Sequence, residues 1–250
     1  MNLENEILLW LQNFVTELEL ILTNNIKSTY IVGSIALDDF RINSSDIDVL
    51  VISERRLSKE EFSDIKKLHM SLYQTSKWGR RIEVSYIIEE MLNSESIIGM
   101  TRSYYNSGQF RYESYGQEWY IDKHILISKG ICISNEPLGS AIDEVSCEEL
   151  KSASLKFMEE DLKPLIESCD TLSNEYLVFI TLSLCRIIFT FKEASVTSKS
   201  ESISWINRLT QNRYSELLDE VINWSFEKNI KRKDECKEFI KAMYKNYENL

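Results

Sequence analysis

The sequence predicts an α+β fold in two parts: a mixed sheet with helices over residues 1–145, then an all-α bundle over 146–250. Three observations lead there. Up to about residue 145, apolar residues at helical spacing alternate with short β-branched runs. Beyond it, helical stripes follow one another without a strand signal. Seven Gly and two Pro in 250 residues leave room only for short, sparse loops.

The elements follow in order. Ile7, Leu11, Phe14, Leu18 and Ile21 recur at helical spacing, so 3–24 reads as an amphipathic helix. Tyr30-Ile31-Val32 is a short strand ended by Gly33-Ser34. Residues 47–52 form a second strand, rich in β-branched side chains. Residues 58–75 read as a helix capped by Ser58, with Glu60 and Glu61 in its first turn. Residues 82–88 give a third strand. From 100 to 120 the chain is rich in Tyr, Ser, Gly and Gln with little periodicity, and a loop or surface-lying segment is expected. Four helical patterns come after 145: residues 146–168; the stripe Leu177, Ile180, Leu184, Ile187, Ile188, Phe191; the stripe from Tyr214 to Ile222; and the stripe from Cys236 to Tyr247. A cleft between two such parts is a usual place for a ligand.

Composition excludes several classes. Forty acidic against 29 basic residues give a net charge of −11, which disfavours nucleic-acid backbones as partners and permits cationic small molecules. No apolar run approaches the ~20 residues of a membrane span, and the start MNLENEILLWLQ lacks the features of a signal peptide. A cytoplasmic chain without membrane or nucleic-acid partners, acting as a monomer, is therefore expected. Cys132, Cys147, Cys169, Cys185 and Cys236 are scattered and unpaired in pattern, and read as reduced thiols.

The chemistry concentrates in Y-I-V-G-S-I-A-L-D-D-F-R-I-N-S-S-D-I-D-V-L-V-I, residues 30–52. Gly33 lets a backbone approach a phosphate without a Cβ in the way, and the Ser34 hydroxyl can donate to phosphate oxygens. Read alone, the pair is an ordinary turn. Asp46 and Asp48 lie two residues apart at the entry of a strand, so period 2 puts both carboxylates on one face. Like charges side by side call for a neutraliser, and oxygen ligands suit Mg²⁺. The plain reading is a solvated turn, Asn43-Ser44-Ser45-Asp46. Glu83 sits inside the strand R-R-I-E-V-S-Y-I-I, where a carboxylate is disfavoured unless it is used. It is a third metal ligand, a general base, or an edge charge that blocks aggregation.

Gly-Ser, Asp-x-Asp on a strand and a third carboxylate on a later strand resemble the nucleotidyltransferase superfamily. F-R-I-N-S-S-D-I-D-V-L-V, R-R-I-E-V-S-Y-I and the helical second half resemble the aminoglycoside 3''/9 adenylyltransferases in particular, over almost the whole chain. The resemblance implies an N-terminal nucleotidyltransferase domain, residues 1–145, and a helical domain, 146–250, that closes on nucleotide and drug. It implies a transfer of AMP from ATP to a hydroxyl of an aminocyclitol or aminoglycoside. It also implies phosphate contacts by Ser34 and Ser45, magnesium ligands Asp46 and Asp48, a base at Glu83 that completes the metal site, a nucleotide-site aspartate at Asp122, and a triphosphate lysine at Lys199. An aromatic near Trp224 falls where the family has one that meets the nucleotide.

Two departures narrow the reading. Leu37-Asp38-Asp39 stands where the family has glycines, and the Ser34-to-Asp46 spacing is one residue longer. Streptomycin-modifying members carry a tryptophan where this chain has Tyr104-Tyr105, and an aspartate where it has Asn174, with Asp170 close by. The pattern resembles the members restricted to spectinomycin. Alternatives in other classes are a nucleotidyltransferase acting on protein or RNA, and a non-catalytic nucleotide-binding scaffold; three clustered acids argue against the last. His69, His124, the tyrosines of 104–115 and the basic cluster Lys228, Lys231, Arg232, Lys233 have ordinary packing or surface roles as their first reading.

Overall fold

A computed structural model describes residues 3–93, 97–134, 137–138, 142–225 and 228–247. Contacts divide the chain into two units: 1–40 with 45–144, and 41–44 with 145–250.

The first unit is organised by a six-stranded sheet in the order β5-β4-β3-β2-β1-β6. Its strands are β1 (Ile26–Ile31), β2 (Ile47–Ser53), β3 (Ile82–Ile88), β4 (Thr101–Asn106), β5 (Gln109–Ser114) and β6 (Ile131–Cys132). Only β2 and β3 run parallel among these pairs; the other neighbours are antiparallel. The crossover between them is α3 (Lys59–Thr75), started by a capping box in which Ser58 and Glu61 satisfy each other's backbone amides.

Alternation along the strands decides the two faces. Ile47, Val49 and Val51 of β2 and Ile82, Val84 and Tyr86 of β3 point one way. They pack under α3 and α1 (Leu3–Ile21), whose Leu11, Phe14 and Leu18 are buried. Each such side chain contributes roughly 1.5–3 kcal/mol by leaving water. Tyr30, Leu50, Ile52 and Ile87 point the other way and are covered by Trp119 and Leu126 of α4 (Glu118–Lys129). Asp48, Glu83 and Ser85 share that second face and are only partly buried. A single helical turn, α2 (Gly33–Ala36), follows β1 and packs on β2 and α4.

Residues 100–120 are not a loop. They form the β4–β5 hairpin and run into α4. The turn is Ser107-Gly108, both at positive φ (50° and 79°), the two-residue connection that suits the twist of paired strands. Aromatic residues dominate this segment and supply its β propensity; the polar residues between them masked the alternation.

The second unit is helical: α5 (Cys147–Phe157), a π-helical stretch Met158–Leu162, α6 (Lys163–Glu167), α7 (Asn174–Glu193), α8 (Lys199–Leu209), α9 (Ser215–Ile222) and α10 (Lys233–Asn246). Its core is α7, with Leu177, Ile180, Leu184 and Ile188 fully buried against Ile206, Leu217, Leu218, Phe239 and Ile240. α7 is the described helix long and apolar enough to cross a membrane, and 61% of its most apolar window is buried inside its own unit, as in a core helix. α8 is absent from the four sequence stripes because it is short and carries few apolar side chains. Its Ser198–Glu201 capping box is the signal that marks its start. The segment 41–44 joins this unit because Arg41 donates to Ser200 Oγ (2.8 Å), the Ile222 carbonyl (3.3 Å) and Asn223 Oδ1 (3.4 Å).

His69 of α3 is a core residue. Its Nε2 lies 2.7 Å from the Tyr86 hydroxyl and its ring stacks on Tyr105 at 3.9 Å between centroids. Burial lowers its pKa from 6.5 to about 3. The native protein therefore keeps this ring neutral while the unfolded chain protonates it near 6.5. The advantage is complete above that value and is eroded as pH falls toward 3, with a slope of up to about 1.4 kcal/mol per pH unit. His69→Gln, which keeps a partner for Tyr86 and removes the titration, should flatten the acid limb of stability. Urea unfolding of both proteins between pH 7 and 4 measures this; parallel curves would exclude His69 as the cause.

Candidate active site

The site is built from the start of β2 upward. Ile47 is fully buried, so its neighbours Asp46 and Asp48 emerge on the opposite face, Asp46 exposed and Asp48 partly buried. The parallel register sets Asp48 directly beside Glu83 and Ile47 beside Ile82. Two carboxylates from adjacent strands thus stand side by side, with Asp46 one pleat earlier.

Gly33 is required by this arrangement on two counts. Its φ is +60°, a conformation that L side chains rarely adopt. A Cβ there would lie 1.9 Å from Asp48 Oδ2 and 2.6 Å from Asp48 Cγ. The glycine is the floor on which the Asp48 carboxylate rests. The turn is held by hydrogen bonds from Val32 N to the Asp48 carbonyl (3.0 Å) and from Asp39 N to the Ser34 carbonyl (2.9 Å). Where the family closes this loop with glycine, Asp38 takes φ +54°, which aspartate tolerates through its short polar side chain.

Ser34 Oγ is buried and has no hydrogen-bond partner among the described residues, which leaves its hydroxyl open to a ligand oxygen. Ser45 is buried, and Arg81 donates to its carbonyl. The same guanidinium faces Asp46, whose charge counteracts the lowering of the Arg81 pKa by burial.

Burial is the main influence on Glu83 and pushes its pKa up. The Asp46 charge pushes the same way, while a hydrogen bond from Tyr104 and the charge of Arg102 oppose it. A carboxylate held above its ordinary value is suited to receiving a proton. Asn106 Nδ2 donates to Glu83 Oε2 at 2.9 Å. Arg102 is buried, donates to Ser85 Oγ at 3.1 Å, and lies over the Tyr115 ring at 3.5 Å.

Asp122 lies on α4, which packs on α2, and its charge reaches the buried Tyr115 hydroxyl. Lys199 is the first residue of α8 and belongs to the second unit. The structure therefore assembles Gly33, Ser34, Asp46, Asp48 and Glu83 in the first unit, with Ser45 and Asp122 on the flanking elements. Arg81, Arg102 and Asn106 were not singled out by sequence. For the latter two the signal is period 2 in R-S-Y-Y-N, which puts residues 102, 104 and 106 on one face. Of the two tyrosines there, Tyr104 faces the site and Tyr105 faces the opposite core. In the second unit the Asn174 side chain donates to Asn229 Oδ1 at 2.7 Å. Asp170 is shared between Lys241 (2.8 Å) and Lys237 (3.9 Å), and the Lys241 hydrogen bond holds its pKa low.

Among the described residues no group of three or more Asp, Glu, His or Cys side chains stands ready to hold a metal ion. The Asp48–Glu83 pair with Asp46 alongside nonetheless fits Mg²⁺, which takes one or two carboxylates and completes its shell with phosphate oxygens and water.

The strand-start carboxylates and the glycine turn fall in the stretch that carries the match to a nucleotidyl-transferring domain. The model of the nucleotidyltransferase domain matches residues 11–102, and that of the aminoglycoside adenylyltransferase C-terminal domain matches 142–248. The chain belongs to the aminoglycoside adenylyltransferase family. A search of curated protein sequences finds no match. Among solved structures it is similar to the spectinomycin adenyltransferase AAD(9) from Enterococcus faecialis, crystallised with ATP and spectinomycin, with a TM-score of 0.71 at 18% identity over 96% of this chain and 99% of that one.

Gly33→Ala tests the carboxylate floor. It should destabilise the protein by more than ~1 kcal/mol, because both φ and space are wrong for a Cβ, and it should displace Asp48 and abolish turnover. Thermal unfolding with an activity assay checks both; an alanine variant with native stability and rate would show that the turn does not support the site.

Proposed function

We propose that this chain transfers AMP from ATP to a hydroxyl of an aminocyclitol antibiotic, spectinomycin, with release of pyrophosphate. The observation that carries the reading is Glu83: a partly buried carboxylate with a raised pKa, set in register beside Asp48.

The chemistry follows from the residues. Ser34 and Ser45 flank the phosphates, and the orphan Ser34 hydroxyl gains its partner when a phosphate oxygen arrives. Asp122 is assigned to the nucleotide and Lys199 to the charge of the triphosphate. Asp46, Asp48 and Glu83 would hold the magnesium ion, which when bound withdraws charge from the phosphates. Glu83 accepts the proton of the drug hydroxyl as its oxygen forms a bond to the α-phosphorus. The bond between the α-phosphorus and pyrophosphate breaks, and pyrophosphate leaves with the electron pair. A positioned base contributes about 10²–10⁴-fold.

Substrate choice is read from charge. Streptomycin presents guanidinium groups, which gain most from a tryptophan face and a carboxylate. At the matching places this chain offers Tyr104, whose hydroxyl is engaged with Glu83 and Asn106, and Asn174, which is neutral and bonded to Asn229. The neighbouring Asp170 is already shared between two lysines. Spectinomycin is compact, carries no guanidinium, and loses little by these absences. The AMP is assigned to a hydroxyl of its actinamine ring.

Pyrophosphate release from ATP and Mg²⁺ across a panel of aminocyclitols and aminoglycosides tests the reading. Spectinomycin should give turnover and streptomycin little or none, and cells expressing the chain should tolerate the first drug only. Equal turnover of both would show that these positions do not select. Release with no antibiotic would move the acceptor to a protein or RNA.

The carboxylates have their own test. Asp46→Asn and Asp48→Asn should abolish release while the apo fold keeps its stability or gains some, since like-charge repulsion is relieved. Glu83→Gln should slow the chemical step roughly 10²-fold or more with nucleotide binding retained. Wild-type rates in all three variants would remove the site.

A further inference from the structure

Glu83 does not stand alone on its face of the sheet. The antiparallel register that pairs Ser85 with Tyr104 sets Asn106, at the end of β4, opposite Glu83. Asn106 Nδ2 donates to Glu83 Oε2 at 2.9 Å and to the Tyr104 hydroxyl at 3.1 Å. The Tyr104 hydroxyl is itself hydrogen-bonded to Glu83. The carboxylate, which only accepts, sets the amide with its Nδ2 toward Glu83, and Asn106 Oδ1 accepts from Ser107 Oγ at 2.6 Å. Ser107 and Gly108, both at positive φ, reverse the chain immediately afterwards and fix where β4 ends. Tyr104 is 7% exposed, and the guanidinium groups of Arg102 and Arg111 lie 4.9 and 5.0 Å from its ring centroid. The result is a closed ring of hydrogen bonds, Glu83–Asn106–Tyr104, built on two neighbouring strands.

We propose that Asn106 and Tyr104 are positioning residues that fix the Glu83 carboxylate, Oε2 on the Asn106 amide, and so present Oε1 to the acceptor hydroxyl. The inference deepens the adenylyl-transfer reading and rests on it. Oε2 is held by the Asn106 amide, so the acceptor proton passes to Oε1 as the new oxygen–phosphorus bond forms and the bond to pyrophosphate breaks. Neither Asn106 nor Tyr104 exchanges a proton in this step. The amide is not an acid at working pH, and burial with the neighbouring Glu83 charge keeps the phenol un-ionised. A hairpin needs no such ring in order to fold. Its turn and its pairing from Thr101↔Ser114 to Asn106↔Gln109 are backbone features.

Two isosteric variants test the proposal in the full chain, Tyr104→Phe and Asn106→Leu, with ATP, Mg²⁺ and spectinomycin. Loss of the ring lets the carboxylate swing, and a misplacement near 1 Å costs up to about 10²-fold in rate. The expected result is a kcat lowered roughly tenfold in Tyr104→Phe and roughly 10²-fold in Asn106→Leu, with the KM for ATP within about threefold of wild type. In ligand-free protein, the Asn106 side-chain amide resonance in a nitrogen–proton NMR spectrum, identified by its loss in Asn106→Leu, should move in both Glu83→Gln and Tyr104→Phe. Unchanged kcat in both variants, or losses confined to KM, would overturn the proposal. Should Asn106→Leu fail to fold, Tyr104→Phe decides the kinetic arm alone. Should the wild type transfer AMP to no acceptor, the functional reading fails while the NMR arm still decides the ring: an amide signal that ignores Glu83→Gln overturns it, and one that moves sustains it.

Discussion

The register between β2 and β3 is the constraint on which the site depends. It aligns Asp48 with Glu83 and, on the other face, Val49 with Val84 and Val51 with Tyr86. A slip of one residue would turn the carboxylates into the core and the valines into solvent. The burial of Ile47, Val49 and Val51 under α1 and α3 therefore holds the acids in place, although none of those side chains touches them. Asp48 is then seated from below by Gly33, where even a methyl group would collide with its carboxylate.

Opposed influences meet at Glu83. Burial and the Asp46 charge favour its protonated form; the Tyr104 hydrogen bond and the Arg102 charge favour the carboxylate. Burial wins and raises the pKa, which makes the group a better proton acceptor. Asp46 acts on both sides of the site: its charge raises the pKa of Glu83 and counteracts the lowering of the Arg81 pKa by burial.

The helical unit shows a different economy. Its core is apolar and centred on α7, and its acids are mostly committed at the surface: Asp170 to α10, Glu216 and Glu235 to Arg232, Glu238 to Arg213. Exposed pairs of this kind contribute little to stability. Their effect is on what remains available to a cationic ligand. Asn174, at the start of α7, presents an amide bonded to Asn229.

Much of this was legible in the chain itself. Apolar period separated the sheet-bearing part from the helical part, because burial of one face per element leaves that imprint on any sequence. Gly33, Ser34, Asp46, Asp48 and Glu83 were legible because carboxylates and glycine at strand ends conflict with local propensity. The β4–β5 hairpin was not, since one face mixes Thr and Ser with aromatics and the other sets Tyr104 among charged and amide side chains, which blurs the period. For Asn106 and Arg102 the sequence offers only the period of R-S-Y-Y-N, which groups them on a face without saying what they meet. Each is an ordinary polar residue whose meaning lies in the strand opposite, and long-range register is set by packing of the whole sheet. The sequence by itself determined which residues are chemically out of place. Only the tertiary structure decided which of them meet, because a hydrogen bond between Glu83 and Asn106, 23 positions apart, exists only once β3 and β4 have paired in register.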